Sequence, residues 1–164
     1  MALGLVVAAL ALAGCTTGDG TLLVQGSDPP DDIADFSSLT VHVSGFTVHG
    51  SDGNDREFSA GVRSVDVVTL QGGNLSELAR TGLAAGNYSW IRIGVTSANG
   101  TLKAGLLGVG ERSNVTVDVP SDALKLNGPF TIRAGSTTTV RLDLHVIHQG
   151  NGSYKLTPMV GRVT

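Results

Sequence analysis

The amino-acid sequence predicts an all-β protein, a single antiparallel β-sandwich of about nine strands with one short helix. Short segments in which apolar and polar residues alternate recur along the chain at intervals of about 8–12 residues. The 164 residues include 23 glycines and only 15% charged residues, a composition that favours short strands joined by tight turns. A chain of this length buries a core without staples, and its single cysteine excludes an internal disulfide.

The first half of the chain contains three predicted strands and the predicted helix. The second strand changes the phase of its apolar positions after Gly45, which predicts a β-bulge at that glycine. The helix is predicted over residues 74–82, because Asn74 and Glu77 have the spacing of a capping pair and Gly82 would end a helix. The three strands are predicted over residues 21–25, 39–50 and 62–70.

The second half contains six predicted strands and two predicted hairpin turns. The pairs Asn99-Gly100 and Asn151-Gly152 are the strongest short hairpin signal, because Asn and Gly adopt positive φ at little cost. The six strands are predicted over residues 87–95, 101–107, 114–119, 130–133, 137–148 and 153–163.

The amino terminus predicts export and lipid attachment. Residues 2–13 are uncharged and nearly all apolar, which suits the hydrophobic region of a secretory signal, whereas a membrane-spanning helix needs about 20 residues. The segment Leu12-Ala13-Gly14-Cys15 resembles a lipobox, in which the cysteine accepts a diacylglycerol and becomes the mature amino terminus. We therefore expect a signal peptide over residues 1–14, a lipidated tether over 15–20 and the β-sandwich domain over 21–164.

Two other interpretations of this segment stay open at the level of the sequence. Ala11-Leu12-Ala13 also fits an ordinary secretory cleavage site, and a cytosolic protein could bury the same residues as a helix. An exposed free thiol is a liability outside the cell, which favours lipidation of Cys15 over simple secretion.

Several blocks of the chain follow one another in an order and spacing typical of one family. They are GTLLV, DPPDD, a strand that ends in VH, VDVVTLQGG, GLAAGNYSWIRI, VPSDALKL, TTTVRLDL and GNGSYKLTPMV. Over about residues 20–163 the sequence thereby resembles DUF4382, a domain of unknown function found in predicted lipoproteins and surface proteins of bacteria and archaea. The resemblance implies a transthyretin-like or immunoglobulin-like sandwich and no established activity.

Two details of the resemblance concern single residues. The segment GLAAGNY also looks like a corner of carboxypeptidase-regulatory-like domains, which implies that a glycine makes the turn and that Tyr88 locks the next strand. The family pattern after the threonine pair usually reads D-x-D; here Asp143 is kept and position 145 is His. If the two aspartates of this pattern bind a cation in relatives, the resemblance does not imply cation binding here, because the second aspartate is replaced by His145.

The strand that contains the only tryptophan carries the candidate ligand face. Tyr88, Trp90 and Arg92 are predicted to point to one side, opposite Ile91 and Ile93. An exposed indole stacks on a sugar or a peptide, and an adjacent guanidinium adds charge. The alternative is burial, because sandwiches routinely bury large aromatic side chains.

Two sets of residues fit metal coordination only under additional conditions. His42, His49, Asp143 and His145 form a plausible zinc set if their two strands are neighbours. A second set resembles an oxygen-rich calcium loop but lacks the EF-hand spacing. The alternative for both is a solvated surface, and without a close-spaced ligand motif we expect no metal and no cofactor. The residues of the second set are Asp28, Asp31, Asp32 and Asp35.

Five asparagines lie in Asn-x-Ser/Thr sequons, more than chance predicts. Two of these asparagines occupy predicted hairpin turns and a third begins the predicted helix, so each of those has a local structural reason. Asn87 and Asn114 lack such a reason and are the candidate glycosylation sites. The five are Asn74, Asn87, Asn99, Asn114 and Asn151.

The sequence predicts a binding function and no enzyme. It contains no nucleophile elbow, phosphate loop or dinucleotide fingerprint, and its scattered Lys and Arg residues with a net charge of -3 exclude a nucleic-acid footprint. We expect a cell-membrane lipoprotein that faces outside the cytoplasm, is held in the bilayer by diacylglyceryl Cys15, and binds a glycan or protein partner. The alternatives are a structural envelope component without a specific ligand and, less favoured, a metal-dependent hydrolase.

Overall fold

The computed structural model of the protein describes residues 18–27, 32–105, 110 and 112–164. This part of the chain contains nine strands and three 3-10 helices, so the prediction of an all-β fold is confirmed. The 3-10 helices are Asp32–Asp35, Val67–Gly73 and Pro120–Asp122. The strands are β1 (Asp19–Ser27), β2 (Phe36–Gly50), β3 (Asp55–Asp66), β4 (Ser76–Ala84), β5 (Gly86–Leu102), β6 (Arg112–Asp118), β7 (Ala123–Ile132), β8 (Thr137–His148) and β9 (Tyr154–Val163).

The strands form one mixed sheet that is nearly closed and barrel-like. Its order is β3-β2-β5-β6-β9-β8-β1-β4, with β7 paired beside β5. Most pairs are antiparallel, but β1–β8 and β6–β9 are parallel, so the prediction of a purely antiparallel arrangement is wrong. The two edge strands of the sheet, β3 and β4, approach one another: Arg63 of β3 donates a hydrogen bond of 3.0 Å to Glu77 of β4. The sheet therefore curls round a single core.

The core follows the alternation of the strands, and β2 shows this most clearly. Leu39, Val41 and Val43 are buried, and after the bulge Phe46 and Val48 are buried instead. The pairing of β2 with both of its neighbours shifts between Val43 and Gly45. The predicted bulge is therefore confirmed, and it keeps apolar side chains on the core side along the whole strand.

The helix predicted over residues 74–82 is wrong, because most of this segment is strand β4. β4 pairs antiparallel with β1, and the burial of Leu78 and Leu83 in the core decides its conformation over the local capping pattern. Glu77 contacts Arg63 and Arg80 rather than capping a helix. Asn74 donates to backbone carbonyls at the end of the preceding 3-10 helix.

The strand predicted over residues 62–70 is partly wrong. β3 begins earlier, at Asp55, and the chain turns into the 3-10 helix Val67–Gly73 after Asp66. The Asp66 carboxylate accepts hydrogen bonds from the backbone N–H groups of Val68, at 3.1 Å, and Leu39, at 3.0 Å. This cap fixes the start of the helix and joins it to β2.

The two predicted Asn-Gly turns have opposite outcomes. Asn151-Gly152 is confirmed, since Gly152 has a φ of +81° between the antiparallel strands β8 and β9. Asn99-Gly100 is wrong, since both residues lie inside β5. A Cβ on Gly100 would lie 2.6 Å from the Phe36 ring and 2.7 Å from the Ser38 carbonyl oxygen, so this glycine permits a close approach between strands.

Candidate functional site

The predicted ligand face is divided by an irregularity at the start of β5. Tyr88 pairs with Gly50 and Trp90 pairs with His49, so Ser89 is an extra residue relative to β2. Tyr88 consequently faces the core and is 3% exposed, whereas Trp90 is partly buried and Arg92 is exposed. The prediction that these three side chains share a face is wrong for Tyr88, because the extra residue reverses the alternation.

Tyr88 locks the turn between β4 and β5. Its hydroxyl donates a hydrogen bond of 2.8 Å to the Ala84 carbonyl oxygen, and its ring stacks on Phe130 at 5.3 Å between centroids. Burial raises the pKa of the Tyr88 hydroxyl above its ordinary value. This is the locking role that the corner resemblance implies.

Trp90 is held between two neighbours on the outer face of the sheet. His49 of β2 stacks on the indole with centroids 5.0 Å apart and an angle of 5° between the rings. The Lys125 ammonium of β7 lies 4.7 Å from the indole centroid. β2 and β7 border opposite edges of β5, so these two residues cover Trp90 from opposite sides. The His49 Nδ1 is in turn 2.5 Å from an Asp55 carboxylate oxygen.

A groove of about 560 Å³ opens beside Trp90, between β7 and β9. Arg92 donates from Nη2 to the Ser121 carbonyl oxygen at 3.3 Å. Arg92 and Lys125 bring two positive charges to the groove, and none of the described residues that line it is acidic. The lining residues are Trp90, Arg92, Pro120, Ser121, Ala123, Lys125, Thr157 and Pro158.

The groove lies where β9 separates from the strands beside it, β6 and β7. β6 and β9 pair only at Val117–Tyr154 and Asp118–Lys155 among the described residues. Beyond this point β7 continues the line of β6 along β5, and Pro158 of β9 has no N–H to donate. A separate, smaller apolar cavity of about 180 Å³ has a lining that includes Ile91, Leu126, Pro129, Phe130, Val140 and Val163.

The residues weighed as metal ligands are not brought together in the described structure. β2, which carries His42 and His49, is not a neighbour of β8. Within residues 18–27, 32–105, 110 and 112–164 there is no group of three or more His, Cys, Asp or Glu side chains that could hold a metal ion. Asp143 instead accepts a hydrogen bond from the Ser27 hydroxyl, which joins β8 to β1.

Most of the acidic segment that resembles a calcium loop lies outside the described residues. Asp28 and Asp31 are outside the described residues, and the side chain of Asp32 is not described. The Asp35 carboxylate accepts a hydrogen bond of 2.8 Å from the Tyr154 hydroxyl. Asp35 therefore has a structural role, which joins a 3-10 helix to β9.

The two candidate glycosylation sites are exposed, and both have structural roles that the sequence did not indicate. The Asn87 side-chain oxygen accepts a hydrogen bond of 2.8 Å from the Thr131 hydroxyl, across β5 and β7. Asn114 has a φ of +56°, a conformation that asparagine tolerates better than most residues. Glycosylation at Asn87 and Asn114 stays a prediction.

The predicted signal peptide and Cys15 lie outside the described residues. Among the described residues, the helices are short 3-10 helices, and none of them could span a bilayer.

Sequence reasoning found Trp90 and Arg92 but missed Lys125, Ser121 and Pro158. The alternation of Leu124 and Leu126 around Lys125 places that lysine on an outer face, and this was the available signal. The pairing of β7 with β5, which brings Lys125 to Trp90, depends on long-range packing and has no local signature.

Comparisons with known proteins identify the family and little beyond it. No curated protein matches the chain. Among solved structures, a leucine-rich repeat protein from Bacteroides thetaiotaomicron is similar, with 14% sequence identity and a TM-score of 0.30. The match covers 76% of this chain and 13% of that protein. The family model described as "Domain of unknown function (DUF4382)" matches residues 19–158. The chain therefore belongs to the DUF4382 family.

Proposed function

We propose that this chain is a lipid-anchored lipoprotein that faces outside the cytoplasm and acts as a non-catalytic binding module of the cell surface. The observation that carries the binding role is the groove beside Trp90, which holds two cationic side chains and no acidic one among its described lining residues. The anchor is supported by the lipobox resemblance at Leu12-Ala13-Gly14-Cys15. Two acyl chains on Cys15 would hold the domain stably at a bilayer.

The chemistry of the groove favours an anionic partner. Arg92 has five N–H donors, of which one contacts Ser121, so its guanidinium retains donors for a carboxylate. Lys125 adds a second positive charge beside it. Because His49 and Lys125 already cover Trp90, a sugar ring would have to displace Lys125 to stack on the indole. We therefore propose recognition of carboxylates on an extracellular acidic polymer, whether glycan or protein.

We also propose that the nearly closed sheet is a distorted sandwich. In this description β3, β2, β5 and β7 form one layer, β9, β8, β1 and β4 form the other, and β6 pairs with both β5 and β9. Contacts between the layers support it, such as the edge-to-face pair of Phe36 and Tyr154 with centroids 4.7 Å apart.

Titration of the single tryptophan tests the binding role directly. The chain has one Trp, so its fluorescence reports the groove without a label. We expect polygalacturonate and polyglutamate, or one of them, to change the emission saturably, and added salt to weaken binding. The double variant Arg92→Gln/Lys125→Gln should bind at least about tenfold more weakly, a loss of roughly 1.4 kcal/mol.

A charge-matched control separates the groove from general electrostatics. The double variant Arg63→Gln/Arg80→Gln removes two positive charges that pair with Glu77 outside the groove, and we expect binding to stay within about twofold of the wild type, because neither charge lines the groove and distant exposed charges are screened by salt. Equal losses in the control and groove variants would contradict a specific site. Failure of the wild type to bind either polymer would contradict the proposed ligand chemistry.

A structural envelope role without a specific ligand is the second candidate. It predicts that deletion of the gene weakens the envelope, whereas the binding role predicts loss of attachment or uptake with the envelope intact. A metal-dependent hydrolase is the least favoured candidate, since the described residues hold no metal-ligand cluster. Metal analysis of the purified protein tests it.

A further inference from the structure

Three short turns between strands lie at the end of the sheet where the described chain begins. The Ala85 N–H donates to the Gly18 carbonyl oxygen, and the Gly135 N–H donates to the Asp19 carbonyl oxygen, both at 2.9 Å. The Ser51 N–H donates to the Asn87 carbonyl oxygen at 2.9 Å, close to the same turn. We call this the Gly18 end; its turns are residues 51–54, 85 and 133–136.

The longer connections lie at the opposite end, which we call the far end. They are held to one another: the Lys103 ammonium donates to the Ala34 carbonyl oxygen at 2.7 Å, and the Tyr154 hydroxyl donates to Asp35 at 2.8 Å. Long connections carry binding functions more often than tight turns do. The described parts of the connections at the far end are residues 32–35, 67–75 and 103–105, and the shorter hairpin turn 149–153 lies at the same end.

The length of chain between Cys15 and Gly18 limits how the domain meets the bilayer. Three residues span at most about 11 Å when fully extended. β1 has nine residues and at about 3.3 Å per residue carries the chain roughly 30 Å toward the far end. The tether is therefore much shorter than the domain is long, and a lipid on Cys15 must lie close to the Gly18 end.

We propose that the Gly18 end faces the lipid headgroups and that the far end points away from the membrane; this inference rests on the proposed lipid anchor. The turns at the Gly18 end are short, and Ala85 and the adjoining last residue of β4, Ala84, are exposed, so this end lies against the surface without a long loop to insert. The groove beside Trp90 lies along the side of the domain between the two ends. The longer connections of the far end are then presented to the surroundings.

Energy transfer to labelled lipids tests this orientation. The lipidated mature protein is reconstituted in phosphatidylcholine vesicles that contain an acceptor-labelled lipid, and a donor dye is attached to Ser136→Cys or Gly150→Cys. Cys15 is the only native cysteine and is blocked by the lipid, so the introduced thiol is the single labelling site. Both positions are exposed, at the Gly18 end and the far end respectively. We expect several-fold more efficient transfer from position 136 than from position 150.

The outcomes separate the orientation from the anchor. Sedimentation of both variants with vesicles together with equal or reversed transfer overturns the orientation alone. Failure of both variants to sediment overturns the lipid anchor, and the orientation with it. A flexible Gly/Ser insertion of ten residues after Thr17 should reduce the difference between the two positions, because a longer tether releases the restraint. An unchanged difference in that variant would contradict the argument from tether length.

Discussion

Tyr88 and Trp90 lie two residues apart in β5, yet one is part of the core and the other borders a groove. Tyr88 is 3% exposed and donates its hydroxyl hydrogen to a backbone carbonyl, whereas Trp90 rests on the outer face between His49 and Lys125. A single extra residue, Ser89, produces the difference. The comparison teaches that a bulge, and not residue type, decides which aromatic side chain joins the core and which lies on the outer face beside the groove.

The largest expected difference between the two regions is in stability. Tyr88→Ala should lower the free energy of unfolding by about 3–5 kcal/mol, because it leaves a cavity beside Phe130 and removes the Ala84 hydrogen bond. Trp90→Ala should cost less than half as much, because the indole lies on the outer face. Urea unfolding followed by circular dichroism measures both variants. Equal losses would show that Trp90 is a core residue and would weaken the case for the groove.

A second contrast on the same strand concerns its glycines. Gly100→Ala should destabilise the protein by about 1–3 kcal/mol, because the new methyl group meets the Phe36 ring and the Ser38 carbonyl oxygen. Gly86→Ala is the matched control, since nothing lies within 4 Å of its added Cβ. Thermal unfolding of the two variants compares them directly. A neutral Gly100→Ala would contradict the close approach of β5 and β2.

The hydroxyl of Tyr88 contributes less than its ring and has a distinct pH dependence. Tyr88→Phe should cost about 1 kcal/mol through the lost hydrogen bond. Burial raises the Tyr88 pKa in the folded state, so the unfolded chain releases this proton first, near pH 10. The stability that the protonated Tyr88 hydroxyl contributes is therefore fully present below about pH 10 and is lost as the pH rises toward the higher pKa of the folded state. Tyr88→Phe should therefore lose stability less steeply above about pH 10 than the wild type does.

The smallest expected effect concerns the lysine that covers Trp90. Lys125→Met should change stability by no more than about 1 kcal/mol, the range of an exposed cation–π contact. Loss of the cation should nevertheless make iodide quenching of the single tryptophan less efficient, because a nearby ammonium attracts the anion. Unchanged iodide quenching, with acrylamide as the neutral control, would contradict the contact between Lys125 and Trp90.

Local alternation made many of the strands predictable, and long-range pairing decided the rest. The bulge in β2 and the strand β8 follow from their own apolar periodicity. The segment that carries Asn74 and Glu77 has a helical capping pattern but becomes β4, because Leu78 and Leu83 are buried beside β1. Asn99-Gly100 has a turn signature but fills a narrow space against Phe36. Neither the strand β4 nor the position of Asn99-Gly100 inside β5 could be predicted from the local sequence, because both depend on contacts with distant residues.

The candidate site was predictable in part for the same reason. Trp90 and Arg92 could be placed on one face by alternation alone. The extra residue at Ser89, which removes Tyr88 from that face, is visible only in the register of β5 against β2. The parallel pairs β1–β8 and β6–β9 depend on distant segments, and with them the divergence that opens the groove.

Intact mass and membrane fractionation of the full-length wild type and Cys15→Ser test the central claim most directly. We predict that the wild type is recovered with the membrane, lacks residues 1–14 and carries a diacylglycerol on the sulfur of Cys15. Cys15→Ser should lose the lipid and its hold on the membrane. A wild-type protein that is water-soluble, retains residues 1–14 and has an unmodified thiol at Cys15 would contradict the lipid-anchored domain proposed for this chain.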